Sequence, residues 1–492
     1  MKTSVQSLEG EYMGIEESSG TGSQERTIPG WGSVEFGRRL GLKAVAGTAL
    51  VGGMAALAEA SQAAAATKSG TIKIGYVTPS TGSLADFAGP DKFVLSLIRS
   101  ASQFAKGITI GKKKYKIEVT VKNSQSDPSI ASTVTTELIQ QTGVDLIVTS
   151  SAPETTIPVS VVCEGAGVPC LSTVCPWEAW WGGFTGNSIG PAGNAVGASP
   201  TYCTMFFFGI PEFVECFLPM WNKVLKTTNA NQVYAGMFPN DSDGNAFRAA
   251  WPPTLTAINT AQGGQPWTFI DGGAYTDLST DYTAMIELFK AGSGGKACDF
   301  FINCPLPPDF NTFWKQASQQ DWNPKLATVA KVMLFPTDVY ALGDLSNNVA
   351  TDCWFSPNAP YRSSLTGMTA NTFAANYQKV TGQQWVQSMG STYSLFEVVV
   401  EALKKVRNPH DRKAVANALK EVSYDGMCGP LNFSAKANPA KGVGIIKPVG
   451  IQWKPGSTEL VGHKKFAWSP WVVDNTLNKH IPLQATLEPT NA

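Results

Sequence analysis

Ser188 is the residue of this sequence that most resembles a catalytic nucleophile. It lies in Gly186-Asn187-Ser188-Ile189-Gly190, which fits the G-x-S-x-G pattern of a hydrolase. That pattern works where a strand leads into the serine and a helix leads away from it. Here Gly182-Gly183 precedes it and Pro191 follows it, so neither element is expected. A serine hydrolase is therefore the most remote reading of the chain, and we predict that it is not an enzyme.

The sequence contains no motif typical of a metal site or of a phosphate-binding loop. The three histidines, His410, His463 and His480, are far apart in sequence, and no Cys-x-x-Cys pair occurs. Gly111-Lys112 and Gly295-Lys296 lack both the upstream glycine and the following Ser or Thr of a P-loop. We therefore expect no metal and no other cofactor.

A polar turn is a better candidate for binding. Thr149-Ser150-Ser151-Ala152 follows a predicted strand at Val144–Val148 and precedes a predicted helix. The free N–H groups at a helix N-terminus attract anions, so a ligand carboxylate would suit this place. We expect Ser150 and Ser151 to contact a ligand, and an ordinary helix cap is the alternative.

Tryptophans follow the next predicted strand, Pro169–Thr173, in the segment Trp177-Glu178-Ala179-Trp180-Trp181. A tryptophan offers a large flat apolar surface with one N–H donor, which suits stacking on an aromatic or unsaturated ligand. We expect Trp177 to contact the ligand. Packing within an irregular segment is the alternative, because Gly, Asn, Ser and Pro predict a long loop over residues 177–200.

The elements that would position these residues alternate between strands and helices, which predicts an α/β fold with largely parallel sheets. Strands are predicted at Thr71–Val77 and Tyr115–Val121, and a helix begins at Asp127-Pro128, with proline in its first turn. The turn Pro79-Ser80-Thr81-Gly82 ends the first strand.

A second set of strand–helix units follows the predicted loop. Strands are predicted at Val233–Met237, Phe300–Ile302 and Val332–Leu334. A short helix beginning at Ala246 is predicted to stop at Pro252-Pro253, because proline removes a helical hydrogen bond. The chain therefore consists of two similar α/β units.

The charge balance excludes some partners. The 492 residues include 38 Lys and Arg and 38 Asp and Glu, so the formal net charge is zero. A nucleic-acid-binding protein needs a basic face, and this composition does not supply one. Charged residues make up 15% of the chain, against roughly 25% in a typical domain, while 14 residues are Trp.

The first 66 residues are predicted to be a disordered leader with an export signal. Arg38-Arg39 precedes an apolar run at 44–58, and Ala64-Ala65-Ala66 is a cleavage-type sequence. The run is shorter than the roughly twenty residues of a membrane-spanning helix, although a retained anchor is the alternative. The adjacent arginines resemble a twin-arginine signal. We therefore expect a periplasmic protein that starts near Thr67.

Several motifs, taken in order, resemble the type I periplasmic binding proteins, and most closely the branched-chain amino acid and amide receptors of ABC importers. The first-lobe motifs are Pro79-x-Thr81-Gly82, Ser126-Asp127-Pro128 and Gly143-Val144-Asp145. The second-lobe motifs are Asn240-Asp241-x-Asp243-Gly244 and Tyr282-x-x-Met285-Ile286, and Gly429-Pro430-Leu431-Asn432-Phe433 resembles a hinge strand. The likeness covers roughly residues 71–460.

The resemblance implies two lobes, each a doubly wound and mostly parallel sheet flanked by helices, joined by a three-segment hinge. The domain prediction places lobe I at 71–203 and 355–430, lobe II at 204–354 and 431–480, and a tail at 481–492. Ligand would bind between the lobes, where open α/β sheets place it at the carboxyl ends of their strands.

The resemblance also implies further ligand contacts. From lobe I we expect Thr81, Phe87 and Thr173. From lobe II we expect Asp243, Pro305, Thr337 and Asp338. Thr337 stands where the amino-acid receptors carry a glutamate for the ligand ammonium, so a standard amino acid would lose its main cation partner, unless Asp338 or Asp243 compensates.

We therefore expect a monomeric solute-binding receptor of an ABC importer that passes a small carboxylate or amide, with an aromatic or unsaturated part, to permease subunits. Contact with the membrane would occur only through the permease, and no nucleic acid would bind. The same clamp serving a sensor is the alternative. Because both hinge segments should run side by side, we also predict a disulfide between Cys353 and Cys428.

Overall fold

The computed structural model describes residues 70–187, 189, 194–456 and 466–490. The predicted export signal, Ser188 and the last two residues of the predicted tail lie outside the described residues. The strands, in chain order, are β1 Thr71–Thr78, β2 Ile108–Ile110, β3 Lys113–Asn123, β4 Leu146–Ser150, β5 Cys170–Thr173, β6 Cys203–Phe206, β7 Val233–Pro239, β8 Thr268–Tyr275, β9 Phe300–Asn303, β10 Leu326–Val329, β11 Ala350–Cys353, β12 Ser423–Gly426, β13 Gly429–Asn432, β14 Val443–Gly444, β15 Val449–Pro455 and β16 Trp468–Asp474.

Helices connect most of these strands. They are α1 Ala85–Ala88, α2 Asp91–Ser100, α3 Ser102–Ala105, α4 Pro128–Glu137, α5 Pro153–Gly165, α6 Trp177–Thr185, α7 Ile210–Thr227, α8 Ser242–Ala261, α9 Thr283–Ala291, α10 Pro307–Gln319, α11 Pro336–Leu342, α12 Ala370–Thr381, α13 Ser388–Leu403 and α14 Arg412–Leu419. Among the described residues, no helix combines the length and the apolar character that crossing a membrane requires.

The strands form two large sheets, one in each lobe. The first has seven strands in the order β14-β6-β5-β4-β1-β3-β2, and only β2 and β3 pair antiparallel. The second has seven strands in the order β16-β15-β11-β10-β9-β7-β8, with β15 antiparallel to both of its neighbours. The predicted α/β class with mostly parallel sheets is confirmed.

The described chain crosses between the sheets three times, after β6, after β11 and after β14. The lobe boundaries given above remain a prediction. Strand pairing favours assigning residues 204–206 and 443–444 to lobe I, because β6 and β14 both belong to the first sheet.

The predicted start of α4 is confirmed. The Asp127 side chain caps the helix by accepting hydrogen bonds from the N–H groups of Ser129 and Ile130 at 2.8 and 2.9 Å, and Pro128 occupies the first turn. A short polar side chain followed by proline is a strong start signal, because it satisfies two free N–H groups and removes a third.

The loop predicted over 177–200 is wrong in its first part, where α6 forms. Trp177, Trp180 and Trp181 are 0–1% exposed, and their spacing places them on the buried side of a helix. Gly183 allows α6 to approach α5, because a Cβ atom there would lie 2.6 Å from Ile157. Tertiary packing therefore outweighs the glycines that predicted a loop.

Two further element predictions are wrong. Helix α8 continues through Pro252-Pro253, because Trp251 is fully buried against Trp221 and Phe247. The strand predicted at Val332–Leu334 is instead β10, several residues earlier. Lys331 and Met333 have positive φ angles of 68° and 56°, which a strand does not accommodate.

Glu397 links helix α13 to the hairpin β12–β13. Its fully buried carboxylate accepts hydrogen bonds from the N–H groups of Ser364 and Met427 at 2.7 and 2.8 Å. Burial raises the pKa of Glu397 to about 7, although these hydrogen bonds oppose the shift. The folded protein therefore holds this proton to a higher pH than the unfolded chain does.

We predict that Glu397→Gln makes the stability less dependent on pH. A carboxyl group whose folded pKa is raised stabilises the protein below its unfolded pKa, and this contribution is lost as the pH rises through about 7. Relative to the parent protein, the variant should gain about 1–3 kcal/mol between pH 5 and pH 8. Urea unfolding across this range measures the difference, and a constant difference would contradict the prediction.

Candidate functional site

A cleft lies where the two lobes meet, at the carboxyl ends of their strands. The space between its walls, together with its mouth open to solvent, amounts to about 430 Å³. Ala152, Val174 and Phe207 line it from the segments after β4, β5 and β6, while Cys304 and Lys331 follow β9 and β10 of the other lobe. Because these strands are mostly parallel, their ends meet at one edge of each sheet.

Five aromatic side chains contribute to the apolar wall. Phe207 packs edge-on against Trp354 with ring centroids 5.1 Å apart, and Phe213 packs against Phe247 at the same distance. Phe87 comes from lobe I and also lines the cleft. Such surfaces favour a ligand with a flat or compact apolar body.

Several backbones at the cleft are strained. Val174 has a φ angle of 55°, Ala152 of 61° and Lys331 of 68°, although none of them is glycine. A positive φ is especially costly for a β-branched residue such as valine. Strain of this kind collects at functional sites, where the surrounding structure holds it in place.

Lys331 places a buried positive charge in the cleft. Its side chain is 7% exposed, and its Nζ lies 2.7 Å from Asp243, 3.5 Å from Asp241 and 3.8 Å from Glu154. Glu154 belongs to lobe I, whereas the other two carboxylates belong to lobe II. The acids outweigh the effect of burial, so the pKa of Lys331 is raised well above its usual value.

Three carboxylate oxygens in or beside the cleft have no hydrogen-bond partner among the described residues. They are Asp243 Oδ1, Glu154 Oε2 and Asp352 Oδ2. Asp243 and Asp352 are 4% and 1% exposed. Burial raises the pKa of each to about 7, and for Asp243 the ammonium of Lys331 opposes the shift.

The lobes also touch at the rim of the cleft. The hydroxyl of Thr337 in lobe II donates a 2.9 Å hydrogen bond to Asp86 in lobe I. Beside it, the rings of Phe87 and Phe335 meet edge-on with centroids 4.8 Å apart. Together with the Glu154–Lys331 contact, these interactions join the two lobes across the cleft.

The structure brings together two of the residues predicted from the sequence: Phe87 and Asp243 both line the cleft. Pro305 follows the lining residue Cys304, and Thr337 forms the rim contact. Asp338 is buried, and its pKa is raised to about 7 by burial and by the nearby Asp86.

The other predicted residues lie behind or beside the cleft wall. Ser150 and Ser151 are buried, with their hydroxyls 3.1 Å apart, and it is the next residue, Ala152, that lines the cleft. Thr173 donates to the carbonyl of Phe206, and Trp177 is buried in lobe I. Thr81 accepts a hydrogen bond from Asn123. Ligand contact by these residues remains a prediction.

Sequence reasoning missed several lining residues. They are Phe207, Phe213, Phe247, Lys331, Asp352 and Trp354. A charged residue two positions after the buried strand β10 was a usable signal for Lys331, but the strand was predicted too late in the chain to reveal it. The other lining residues come from separate elements that only the fold brings together.

The predicted disulfide is absent: Cys353 and Cys428 are both free thiols in the structure. The Cys353 thiol donates instead to the carbonyl of Phe355. Burial raises the pKa of both thiols, so both stay protonated at neutral pH.

Comparison with known proteins agrees with this architecture. A family model described as periplasmic binding protein matches residues 71–443, which is most of the chain. This chain belongs to the periplasmic binding protein family. The predicted type I two-lobed fold is also confirmed. No curated protein sequence matches this binding protein.

Solved structures share the fold of this binding protein at low identity. The leucine binding protein LivK of Thermotoga maritima is 15% identical with a TM-score of 0.59, covering 81% of this chain and 98% of its own. The branched-chain amino acid transporter substrate binding protein LivJ of Streptococcus pneumoniae, in complex with isoleucine, is 17% identical with a TM-score of 0.58, covering 81% and 99%. An ABC transporter solute binding protein of Rhodopseudomonas palustris, in complex with 3,4-dihydroxybenzoic acid, is 18% identical with a TM-score of 0.59, covering 82% and 99%.

We predict that Thr337→Val shifts the binding protein towards an open arrangement. The change keeps the shape of the side chain but removes the hydroxyl that donates to Asp86. Loss of one hydrogen bond costs about 0.5–1.5 kcal/mol, or roughly two- to tenfold in the ratio of closed to open molecules. Distances between spin labels on the two lobes measure this ratio. Thr337→Ser should behave like the parent, and an unchanged ratio in Thr337→Val would contradict the prediction.

We predict that Lys331→Met destabilises the protein by about 3–5 kcal/mol at pH 8, because it leaves the buried carboxylate of Asp243 without its cation. The loss should be smaller at pH 5.5, where the Asp243 carboxylate, whose pKa is raised to about 7, takes up a proton. Denaturant unfolding at both pH values measures it. Lys290→Met, which breaks an exposed pair with Glu287, is the control and should cost less than about 1 kcal/mol. Equal losses at the two pH values would contradict the prediction.

Proposed function

We propose that this binding protein is an extracytoplasmic receptor of an ABC importer. It captures a small molecule between its lobes, closes around it and delivers it to membrane permease subunits. The aromatic-lined cleft between two hinged lobes is the observation that carries the proposal. The solved relatives include proteins described as ABC transporter solute binding proteins, in complex with an amino acid or an aromatic acid.

The chemistry of the cleft favours binding over turnover. Its wall is mostly apolar, and walls of this kind hold a small ligand by burying its apolar surface. The cleft thiol, Cys304, has a raised pKa because of burial, so it is a poor nucleophile at neutral pH. We therefore propose that no bond is made or broken in the cleft.

Closure would convert binding into a signal for the permease. A ligand that touches both lobes stabilises the closed arrangement over the open one by its differential contacts. Phe87 and Phe207 would contact it from lobe I, and Phe247 from lobe II. The export signal proposed from the sequence would place this cycle outside the cytoplasm.

The proposed ligand has an aromatic or other flat apolar body. A carboxylate or amide at its polar end remains a prediction from Ser150 and Ser151. A thermal-shift panel of amino acids, amides, short-chain acids, aromatic acids and amines tests the proposal. At least one class should raise the melting temperature and reduce the radius of gyration in X-ray scattering. If no compound of any class binds, the receptor role is wrong.

We predict that Trp354→Phe weakens binding of the best compound about three- to tenfold, because it removes contact area and an aromatic edge worth about 1 kcal/mol. The matched control is Trp322→Phe. Trp322 has the same 3% exposure, but it packs in the core of lobe II. Calorimetric titration should show normal affinity in the control. Equal losses in the two variants would mean that Trp354 acts only through stability.

A further inference from the structure

The described part of the cleft carries more negative than positive charge. Asp243 and Asp352 line it, and Asp241 and Glu154 contact its lysine. Against these four carboxylates, Lys331 is the one basic side chain among the described lining residues. A ligand that enters this cleft therefore meets an excess of carboxylates in a region of low dielectric.

Lys331 is poorly placed to receive a ligand carboxylate. Its ammonium already lies 2.7 Å from Asp243, with Asp241 and Glu154 within 4 Å. A carboxylate that approached Lys331 would share this space with Asp243, and the repulsion between like charges is strong where water is excluded. An anionic ligand would therefore have to displace an existing ion pair.

Two of the carboxylates have an oxygen free to accept a hydrogen bond from a ligand. Asp243 Oδ1 and Asp352 Oδ2 have no hydrogen-bond partner among the described residues, although the two residues are only 4% and 1% exposed and line the cleft. A buried polar atom without a partner is costly, and a donor from the ligand would remove that cost. A cation would also favour the ionised form of both groups, whose pKa values burial raises to about 7.

The aromatic wall adds a second attraction for positive charge. Phe207, Phe213, Phe247 and Trp354 line the same cleft as the two carboxylates. The face of an aromatic ring attracts a cation, and this attraction grows when the cation is desolvated. Carboxylates and ring faces therefore favour the same kind of ligand group.

We propose that the ligand is a small amine with an apolar body and no carboxylate. Its ammonium group would donate to the free oxygens of Asp243 and Asp352, while its body packs on the aromatic wall. This inference rests on the proposed function, keeps its apolar ligand body and replaces the carboxylate or amide expected from the sequence with an ammonium group. It separates this chain from the solved relatives in complex with isoleucine and 3,4-dihydroxybenzoic acid, since each of those ligands carries a carboxylate.

The test compares ligands that share one body and differ in charge. Calorimetric titration of the full chain at pH 7.5 would use phenethylamine, 3-phenylpropionate, phenylalanine and 2-phenylethanol. A second series would use isopentylamine, 4-methylpentanoate, leucine and 3-methylbutanol. In at least one series, the amine should bind at least tenfold more tightly than the alcohol, and the acid should bind more weakly than either.

The outcomes separate this proposal from the receptor role. If an acid, an amino acid or an alcohol binds more tightly than the matched amine, the amine class is wrong and the receptor role stands. The same conclusion follows if the wider panel yields binders but none is an amine. If nothing in the wider panel binds, both proposals are overturned.

Variants then test the two carboxylates. Asp352→Asn and Asp243→Asn should each weaken binding of phenethylamine, or of isopentylamine where that amine binds more tightly, by at least tenfold, and should change binding of the matched alcohol less than threefold. The control is Asp271→Asn, in the same lobe but paired with Arg248 outside the cleft. Unchanged amine affinity in both cleft variants would overturn the assignment of these residues.

Discussion

The ammonium group of Lys331 is buried at the junction of the two lobes, and a buried charge is stable only where opposite charges surround it. Asp243 and Asp241 supply negative charge from the same lobe as Lys331, and Glu154 supplies it from the other lobe. The relative position of the lobes and the electrostatics of the cleft therefore depend on one another. The strained backbone at Lys331 fits this role, because the turn that carries it is held in place by the charges it meets.

The contacts between the lobes and the groups that would select a ligand lie in different parts of the cleft. One hydrogen bond and one pair of rings join the lobes at the rim, and the contact between Glu154 and Lys331 joins them inside the cleft. The aromatic side chains and the free carboxylate oxygens lie deeper, where a ligand would contribute most of the energy that favours closure. Discrimination between ligands would therefore depend on how well each one fits these deeper groups.

The sequence was informative where local rules apply and uninformative where the fold combines distant segments. The strand at Thr71–Val77 and the start of α4 at Asp127-Pro128 followed from local patterns, and Asp243 was found through its motif. The proline pair in α8 wrongly predicted a helix end, and the glycines in α6 wrongly predicted a loop. In both helices the burial of tryptophans outweighs the local propensity. Lys331 and Glu154 are far apart in the chain, so no local pattern could pair them.

The three crossings between the sheets also affect how the chain is synthesised. Helix α13 packs on β4 and β5 of lobe I, yet it begins at Ser388, after five of the seven strands of the lobe II sheet. Strand β14, at the edge of the same sheet, comes later still. A ribosome therefore releases the central strands of lobe I long before the segments that cover them. During that interval, apolar strands remain exposed, so the time needed to translate lobe II sets how long the growing chain requires protection from aggregation.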